Sequence, residues 1–451
     1  MLNQNSYGAD QNIKRTRVDY FFIGAIFLLV LIGTICIMSA VADTDLSSVI
    51  VRKQLIALPL GLGAFLIGWF FNYQIYSEQW KWIYGFVLFL LIAVLIFGTY
   101  QRGSKSWFVF PFFSFQPSEI CRVATLLIAA AFLERNARRI KEPIVMAGVF
   151  CLVAPIFLLI MKQPDFSSVV ITLPALLALL YCAGVNLYYL VLICLFGFFA
   201  GIFPILWTYL QMYPELAQKS FLWATVGKMS TNYFYMAGFC AFVIAVCLGV
   251  WWTLKQLRMP VSAAVCLLAG AVIITGFLCG LIADKHIKPY QRKRVEVFLA
   301  PKSDPKGAGY NVLQAQIAMG SGGILGKGVF SGTQSRLGFV PEKHTDFILA
   351  VVGEELGLWG TLSVLGLFLV ILWRIVFIAY CACDFYGYLV CSGIFSMFFI
   401  YCIVNFGMLI GLVPVAGIPL PLISYGGSNF VASMWALGII HSVYSRRITF
   451  I

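Results

Sequence analysis

Charged side chains are scarce in this chain: Asp, Glu, Lys and Arg together make up 11% of its 451 residues, against about 25% in a soluble domain. That shortage excludes a water-soluble protein. Histidine occurs three times, and the 13 cysteines lie within or beside apolar runs or in the pair Cys381 and Cys383. Such a distribution offers neither a spaced Cys/His metal set nor a disulfide framework. The two halves share neither motif order nor loop lengths, which weighs against the inverted-repeat plan of many transporters. The net charge is +13, yet no soluble basic domain exists to hold a duplex, so no nucleic acid is expected as a partner.

What fills the sequence instead is apolar: 61% of residues are hydrophobic and 16% aromatic, with a mean hydropathy of +0.92. Runs long enough to cover the roughly 30 Å hydrocarbon core of a bilayer recur twelve times, at 19–41, 54–72, 83–99, 118–134, 144–161, 168–185, 187–208, 233–254, 261–283, 347–373, 388–412 and 429–444. The expected fold is all-α, a polytopic integral membrane helical bundle of about twelve transmembrane helices. An even count puts both termini on one side. Thirteen Lys and Arg residues fall on that side and seven in the opposite short loops, Arg52 and Lys53 among the latter. Basic residues in short loops favour the cytoplasm, so both termini are expected there, with 1–18 as a cytoplasmic tail. The first run exceeds the roughly 7–15 apolar residues of a signal-peptide core and reads as an uncleaved anchor. One loop on the far side, 284–344, stands out with ten basic residues and nine glycines. Its apolar stretches Val295–Leu299 and Tyr310–Met319 read as short interfacial helices.

Within that loop, Lys302-Ser303-Asp304-Pro305-Lys306-Gly307 sets one carboxylate between two lysines, stiffened by proline and followed by glycine. Such a group suits a base, and an ordinary Asp-Pro turn is the alternative. The run Gly320–Gly328 lacks the Gly at 321 and the Ser or Thr at 328 of a phosphate-binding P-loop; its glycines are expected to let backbone lie close to a membrane-bound ligand or another helix. Arg292, Lys293, Arg294, Lys302, Lys306, Lys327, Arg336 and Lys343 together make a cationic surface suited to a diphosphate, with a solvated loop cation as the alternative for each. Ionisable groups inside spans cost about 2.5–3.5 kcal/mol at a helix centre, which makes them functional candidates. Glu119 and Arg122 share a helix face at i,i+3 spacing, Asp165 follows Lys162-Gln163-Pro164, and Asp346, Glu354 and Glu355 open the tenth run. For each, an ion pair or a polar contact between helices is the alternative. Trp107 reads as an interfacial anchor or a ligand contact. Segment 411–428, with three prolines and repeated glycines, cannot be one helix and is expected to be re-entrant and buried near a site.

Several motifs occur in the order of a known family over nearly the whole chain. They are Phe115-Gln116-Pro117-Ser118-Glu119, Gln163-Pro164-Asp165, Pro289-Tyr290-Gln291, Asp304-Pro305 with Gly307, Gly309 and Tyr310, Gly320-Ser321-Gly322-Gly323, Pro341-Glu342 with His344-Thr345-Asp346-Phe347, Glu354-Glu355-Leu356-Gly357, and Pro419-Leu420-Pro421 with Ser424-Tyr425-Gly426-Gly427-Ser428. In these the chain resembles the SEDS proteins (shape, elongation, division and sporulation), and Gly332-Thr333-Gln334-Ser335 with Gly417-Ile418-Pro419 resembles their elongation, RodA-like branch. The resemblance implies a peptidoglycan glycosyltransferase that polymerises lipid II, the undecaprenyl-diphosphate-linked disaccharide pentapeptide, at the outer face of the cytoplasmic membrane during elongation and shape maintenance. It implies Asp304 as the essential carboxylate, a base for the acceptor-sugar hydroxyl; a neighbouring family aspartate is Ala300 here. Lys105, Trp107, Glu119, Arg122, Asp165, Arg292, Lys327, His344, Glu354 and Ser424 are the expected substrate-binding residues. No cofactor is implied, with a divalent cation left open. The partner implied is a class B penicillin-binding protein transpeptidase, beside other elongation-complex membrane proteins.

Three departures from the family pattern stand out. Ser106 replaces an Arg in Gly103-Ser104-Lys105-Ser106-Trp107, Arg122 replaces the usual Lys, and relatives have ten spans. The expected organisation is one membrane domain, 1–451, with a family core of ten spans. Residues 209–283 are expected as an insertion with two extra helices, and 284–344 as the extracytoplasmic catalytic loop. Readings from other classes are a flippase for the same lipid, which tolerates Asn at 304, and a non-catalytic scaffold, for which the cationic loop is dispensable.

Overall fold

Backbone N–H and C=O groups find no water in a bilayer, so an apolar chain of this kind must pair them within helices. A computed structural model describes residues 18–42, 47–101, 104–110, 113–259, 262–301, 307–336 and 342–447. Helices α1 (Tyr20–Val41), α2 (Ser47–Phe70), α3 (Gln74–Glu78) and α4 (Trp80–Phe97) precede three short strands, β1 (Thr99–Gln101), β2 (Ser104–Val109) and β3 (Ser114–Phe115). Then come α5 (Pro117–Arg135), α6 (Pro143–Lys162), α7 (Phe166–Ala183), α8 (Leu187–Met212), the short α9 (Pro214–Lys219) and α10 (Phe221–Lys228), α11 (Tyr233–Gln256) and α12 (Ala263–His286). The long loop carries α13 (Pro289–Leu299), α14 (Ala308–Ser321) and α15 (Thr333–Arg336), and α16 (Ile348–Tyr380), α17 (Phe385–Leu409) and α18 (Gly427–Arg446) complete the bundle. The two interfacial helices expected in the long loop correspond to α13 and α14.

Among the described residues, ten helices are long and apolar enough to cross a membrane by length and composition. The remaining two long helices, α5 and α18, bury 15 of 19 and 15 of 20 residues. Neighbouring helices shield them from lipid, so they tolerate charges and hydroxyls that a lipid-facing helix excludes. The second apolar run was expected to begin at 54, but α2 begins at Ser47. Arg52 and Lys53 are therefore helical rather than loop residues. Hydropathy marks where the apolar surface begins, whereas the hydrogen-bond ladder continues outward into polar sequence.

The first long connection is not purely irregular, a local departure from the all-helical expectation. β2 pairs antiparallel with β1 (Thr99↔Trp107, Tyr100↔Lys105, with an irregularity between) and with β3 (Phe108↔Phe115).

α17 packs against α5, α7 and α16, while α18 lies along α2. In that last pair small residues let the backbones touch: a Cβ on Gly438 would lie 2.2 Å from the Phe65 carbonyl oxygen, and one on Gly68 2.7 Å from that of Trp435. Without a hydrophobic drive between helices in lipid, such close approach supplies the association energy. α8, α11 and α12 form a separate layer around Phe203, Trp207 and Phe277, with the Phe203 and Phe277 rings 4.7 Å apart. Between α17 and α18 the chain is non-helical, and Ile418 and Leu420–Ser424 are buried. A Cβ on Gly33 would meet Ile423 Cα at 2.5 Å. Gly33 lies about 12 Å along α1 from its end at Val41 by helix rise, so the segment is re-entrant, as its prolines require.

Candidate functional site

Alternation of helix direction brings the sheet, residues 287–301, 307–336 and 342–347 and residues 410–426 to one end of the bundle, with the starts of α2, α5, α7, α16 and α18. Asp165 organises one side of this end. It N-caps α7, accepting from the Ser168 amide at 3.2 Å, and also accepts from Gln116 Nε2 (2.9 Å), Ser118 Oγ (2.7 Å), Ser167 Oγ (3.0 Å) and Ser168 Oγ (2.6 Å). The Gln116 backbone N–H in turn donates to Ser428 Oγ (2.9 Å), which donates to the Ser114 carbonyl (2.9 Å). One carboxylate thereby ties together β3, α5, α7 and α18. One turn deeper, Glu119 and Arg122 form the expected i,i+3 pair at 2.5 Å, with side chains 7% and 4% exposed. Arg122 also donates to the Tyr401 hydroxyl of α17 and lies 5.6 Å from its ring centroid.

On the other side, α16 breaks at Gly357, whose φ of +68° is one that side chains rarely allow. The break frees backbone groups that the glycine run recaptures. Lys327 N donates to Glu354 O (3.0 Å), Gly328 N to Glu355 O (3.0 Å), and Leu358 N to Gly323 O (2.9 Å). A Cβ on Gly326 would lie 2.2 Å from the Glu355 carbonyl oxygen. The glycines thus serve a close approach to another helix, one of the two expected uses. The Glu354 carboxylate is fully buried and accepts from the amides of Thr333 (2.7 Å), Gln334 (2.7 Å) and Ser335 (2.9 Å) and from Lys327 Nζ (3.0 Å). Glu355 accepts from the Ser39 hydroxyl of α1.

A cavity of about 180 Å³ is lined by Lys53, Trp107, Phe113, Ser114, Thr345, Tyr425, Gly426 and Gly427. Thr345 Oγ1 donates to Glu342 Oε2 at 3.0 Å. Tyr425 N donates to the His344 carbonyl at 2.8 Å, and the two rings lie 5.5 Å apart. Ser424 Oγ accepts from the Leu420 amide (2.8 Å) and shapes the end of the re-entrant segment.

Of the residues expected from sequence, Trp107 lines this cavity, and His344 and Ser424 are next to liners. Glu119, Arg122 and Asp165 build one frame, Lys327 and Glu354 the other. Lys105 and Arg292 are engaged elsewhere: Lys105 Nζ donates to the Ile96 carbonyl (2.9 Å), and Arg292 pairs with Asp284 (2.7 Å) and donates to Gln211 (3.1 Å). Asp304, with Lys302 and Lys306, lies outside the described residues. Sequence reasoning missed Lys53, Phe113, Ser114 and Thr345 as neighbours. Lys53 was read as a loop charge because the apolar run starts after it; the motifs holding Thr345 and Gly426-Gly427 carried the available signal.

The sequence model of the FtsW/RodA/SpoVE cell cycle proteins matches residues 19–226 and 224–448. The chain is 31% identical over 442 residues to the peptidoglycan glycosyltransferase RodA of Treponema pallidum, covering 95% of this chain and 98% of that protein. It is 33% identical over 374 residues to the peptidoglycan glycosyltransferase MrdB of Escherichia coli K12, covering 83% and 80%. Among solved structures, a chain of a peptidoglycan synthase complex superposes with a TM-score of 0.65 at 24% identity, covering 96% of this chain and 99% of that one. The rod shape determining protein RodA of Thermus thermophilus does so with 0.57 at 22%, covering 95% and 97%. The chain therefore belongs to the FtsW/RodA/SpoVE family of cell cycle proteins.

Proposed function

We propose that this multi-pass membrane protein is a peptidoglycan glycosyltransferase that polymerises lipid II into glycan strands during cell elongation and shape maintenance. The observation that carries the reading is its 31% and 33% identity, over 95% and 83% of the chain, to relatives named for that activity. The gathering of those shared motifs that lie among the described residues at one end of the bundle supports it. That end faces outward across the cytoplasmic membrane, because the basic residues of the tails and short loops, thirteen against seven, favour the other end, where both termini lie. Residues 284–344 act as the catalytic loop, and 209–283 are an inserted helix pair added to a ten-span core.

In the reaction the acceptor-sugar 4-hydroxyl oxygen bonds to the donor anomeric carbon as the bond from that carbon to the lipid diphosphate breaks. Asp304 takes the hydroxyl proton, and cations stabilise the charge that departs on the diphosphate. A single displacement inverts the anomeric centre. Glu119, Arg122, Asp165, Lys327 and Glu354 act here as positioning residues, since each spends its hydrogen bonds on holding the frame. A class B penicillin-binding protein crosslinks the product, a reading that the likeness to a chain of a peptidoglycan synthase complex supports.

Fluorescent lipid II incubated with wild type and Asp304→Asn, each with and without a cognate transpeptidase, tests this reading. Polymer from wild type and none from the folded variant is the expected result. Equal polymer from both removes Asp304 from the role of base. No polymer from either, even with the partner present, overturns the polymerase in favour of lipid transport or a scaffold.

A further inference from the structure

We propose that the cavity between α2, the sheet and the start of α18 is the seat of the substrate's diphosphate, and that Lys53 is the cation that holds it. This deepens the polymerase reading and rests on it for the identity of the ligand. The first argument is size. Sites that enclose a whole small molecule span roughly 300–1,000 Å³, and this cavity has about 180 Å³. It is too small for a disaccharide pentapeptide and suits a compact fragment of one.

The second argument is charge. Arg122, Arg292 and Lys327 are paired with Glu119, Asp284 and Glu354, and Lys105 is bonded to a carbonyl. Lys53 is half-buried, and among the described residues it has no ion-pair or hydrogen-bond partner. Among the described residues, no carboxylate lines the cavity with it. A partly desolvated ammonium without a partner is unfavourable, and an anionic ligand relieves that.

The third argument is depth. Lys53 lies six residues into α2, about 9 Å along the axis, and shares the cavity with the rings of Trp107 and Tyr425. Such rings mark the headgroup level of a bilayer, which is where a polyprenyl diphosphate carries its charge; the peptide carboxylates of the same substrate extend away from it. The wall at Gly426 and Gly427 fits the same anion, because no side chain caps α18 there and the partial positive charge of the helix start adds to that of Lys53.

The test is binding without turnover, on the full-length protein in nanodiscs, of radiolabelled undecaprenyl diphosphate, undecaprenol and the lipid-free disaccharide pentapeptide. Wild type is expected to prefer the diphosphate over undecaprenol, and inorganic diphosphate is expected to compete. Lys53→Met should weaken diphosphate binding about 10- to 100-fold, the span of one hydrogen bond to a charged group. Lys53→Arg should restore it to within a few-fold. Unchanged diphosphate binding by a folded Lys53→Met overturns the proposal. So does a wild type that holds the diphosphate no more tightly than undecaprenol, or that prefers the lipid-free peptide sugar, and neither measurement depends on a variant folding. Diphosphate binding that needs Lys53 in a protein that makes no polymer supports the seat while overturning the polymerase. Polymer made by Lys53→Met with wild-type KM and wild-type binding overturns the seat alone.

Discussion

Helices α5 and α11 lie in the same membrane chain, yet α5 buries 15 of its 19 residues and α11 two of 24. α5 carries Glu119, Arg122, Glu134 and Arg135, more charge than a span by composition allows; α11 meets that composition easily. The contrast separates two ways of being stable in lipid. A peripheral helix needs only an apolar surface, which lipid covers as well as protein does. A central helix is surrounded by protein and can hold charges, provided each finds a partner. Polarity in the wrong place for a span is therefore the mark of the functional centre.

The contrast breaks or sharpens at specific residues. The largest effect is expected at the buried ion pair. Arg122→Leu leaves the Glu119 carboxylate unpaired and should destabilise the protein by about 3–5 kcal/mol, whereas the double change Glu119→Leu with Arg122→Leu recovers most of the loss. Thermal unfolding in detergent, followed by size exclusion, reads both; a double variant no better than the single one would show that the pair is not what organises α5.

Next comes Glu354→Gln, which weakens the charge-assisted bonds holding residues 327–336 to α16. A local loss of about 1.5–3 kcal/mol should appear as faster hydrogen exchange at the Thr333, Gln334 and Ser335 amides, while α5 is unaffected. Gly326→Ala, with a positive φ and a Cβ against the Glu355 carbonyl, should cost about 1–3 kcal/mol. Its readout is faster exchange at Leu358, whose amide bonds to Gly323. The smallest effect belongs to the periphery: Phe242→Leu, on the exposed face of α11, should stay within about 0.5 kcal/mol. A fall in the same unfolding assay as large as that of Arg122→Leu would abolish the distinction between the two helices.

Most of the helices are legible in the sequence, because runs such as 187–208 and 233–254 have no other stable form in a bilayer. The Glu119–Arg122 pair is legible too, since i,i+3 spacing fixes a shared face. The short sheet is not: 99–115 has no pattern that distinguishes strands from loop, and its pairing depends on contacts with α4 and α18. The site was legible in parts. Trp107, Asp165 and Glu354 lie in motifs that attract attention, but whether a residue touches a ligand or holds the frame depends on which donors surround it. Glu354 is engaged by amides 19 to 21 residues upstream, and nothing in its own neighbourhood of sequence announces them.

The sequence by itself determined the membrane class, the helical architecture and the family, because hydrophobic run length, charge placement and motif order are properties of the chain. The tertiary structure alone decided which cations among the described residues are already spent and which remain available. Pairing is a matter of distance between residues remote in sequence: Lys327 of the glycine run meets Glu354 of α16, Arg122 meets Tyr401 from another helix, and Lys53 comes to face Trp107, Thr345 and Tyr425 only because α2, the sheet and the re-entrant segment converge.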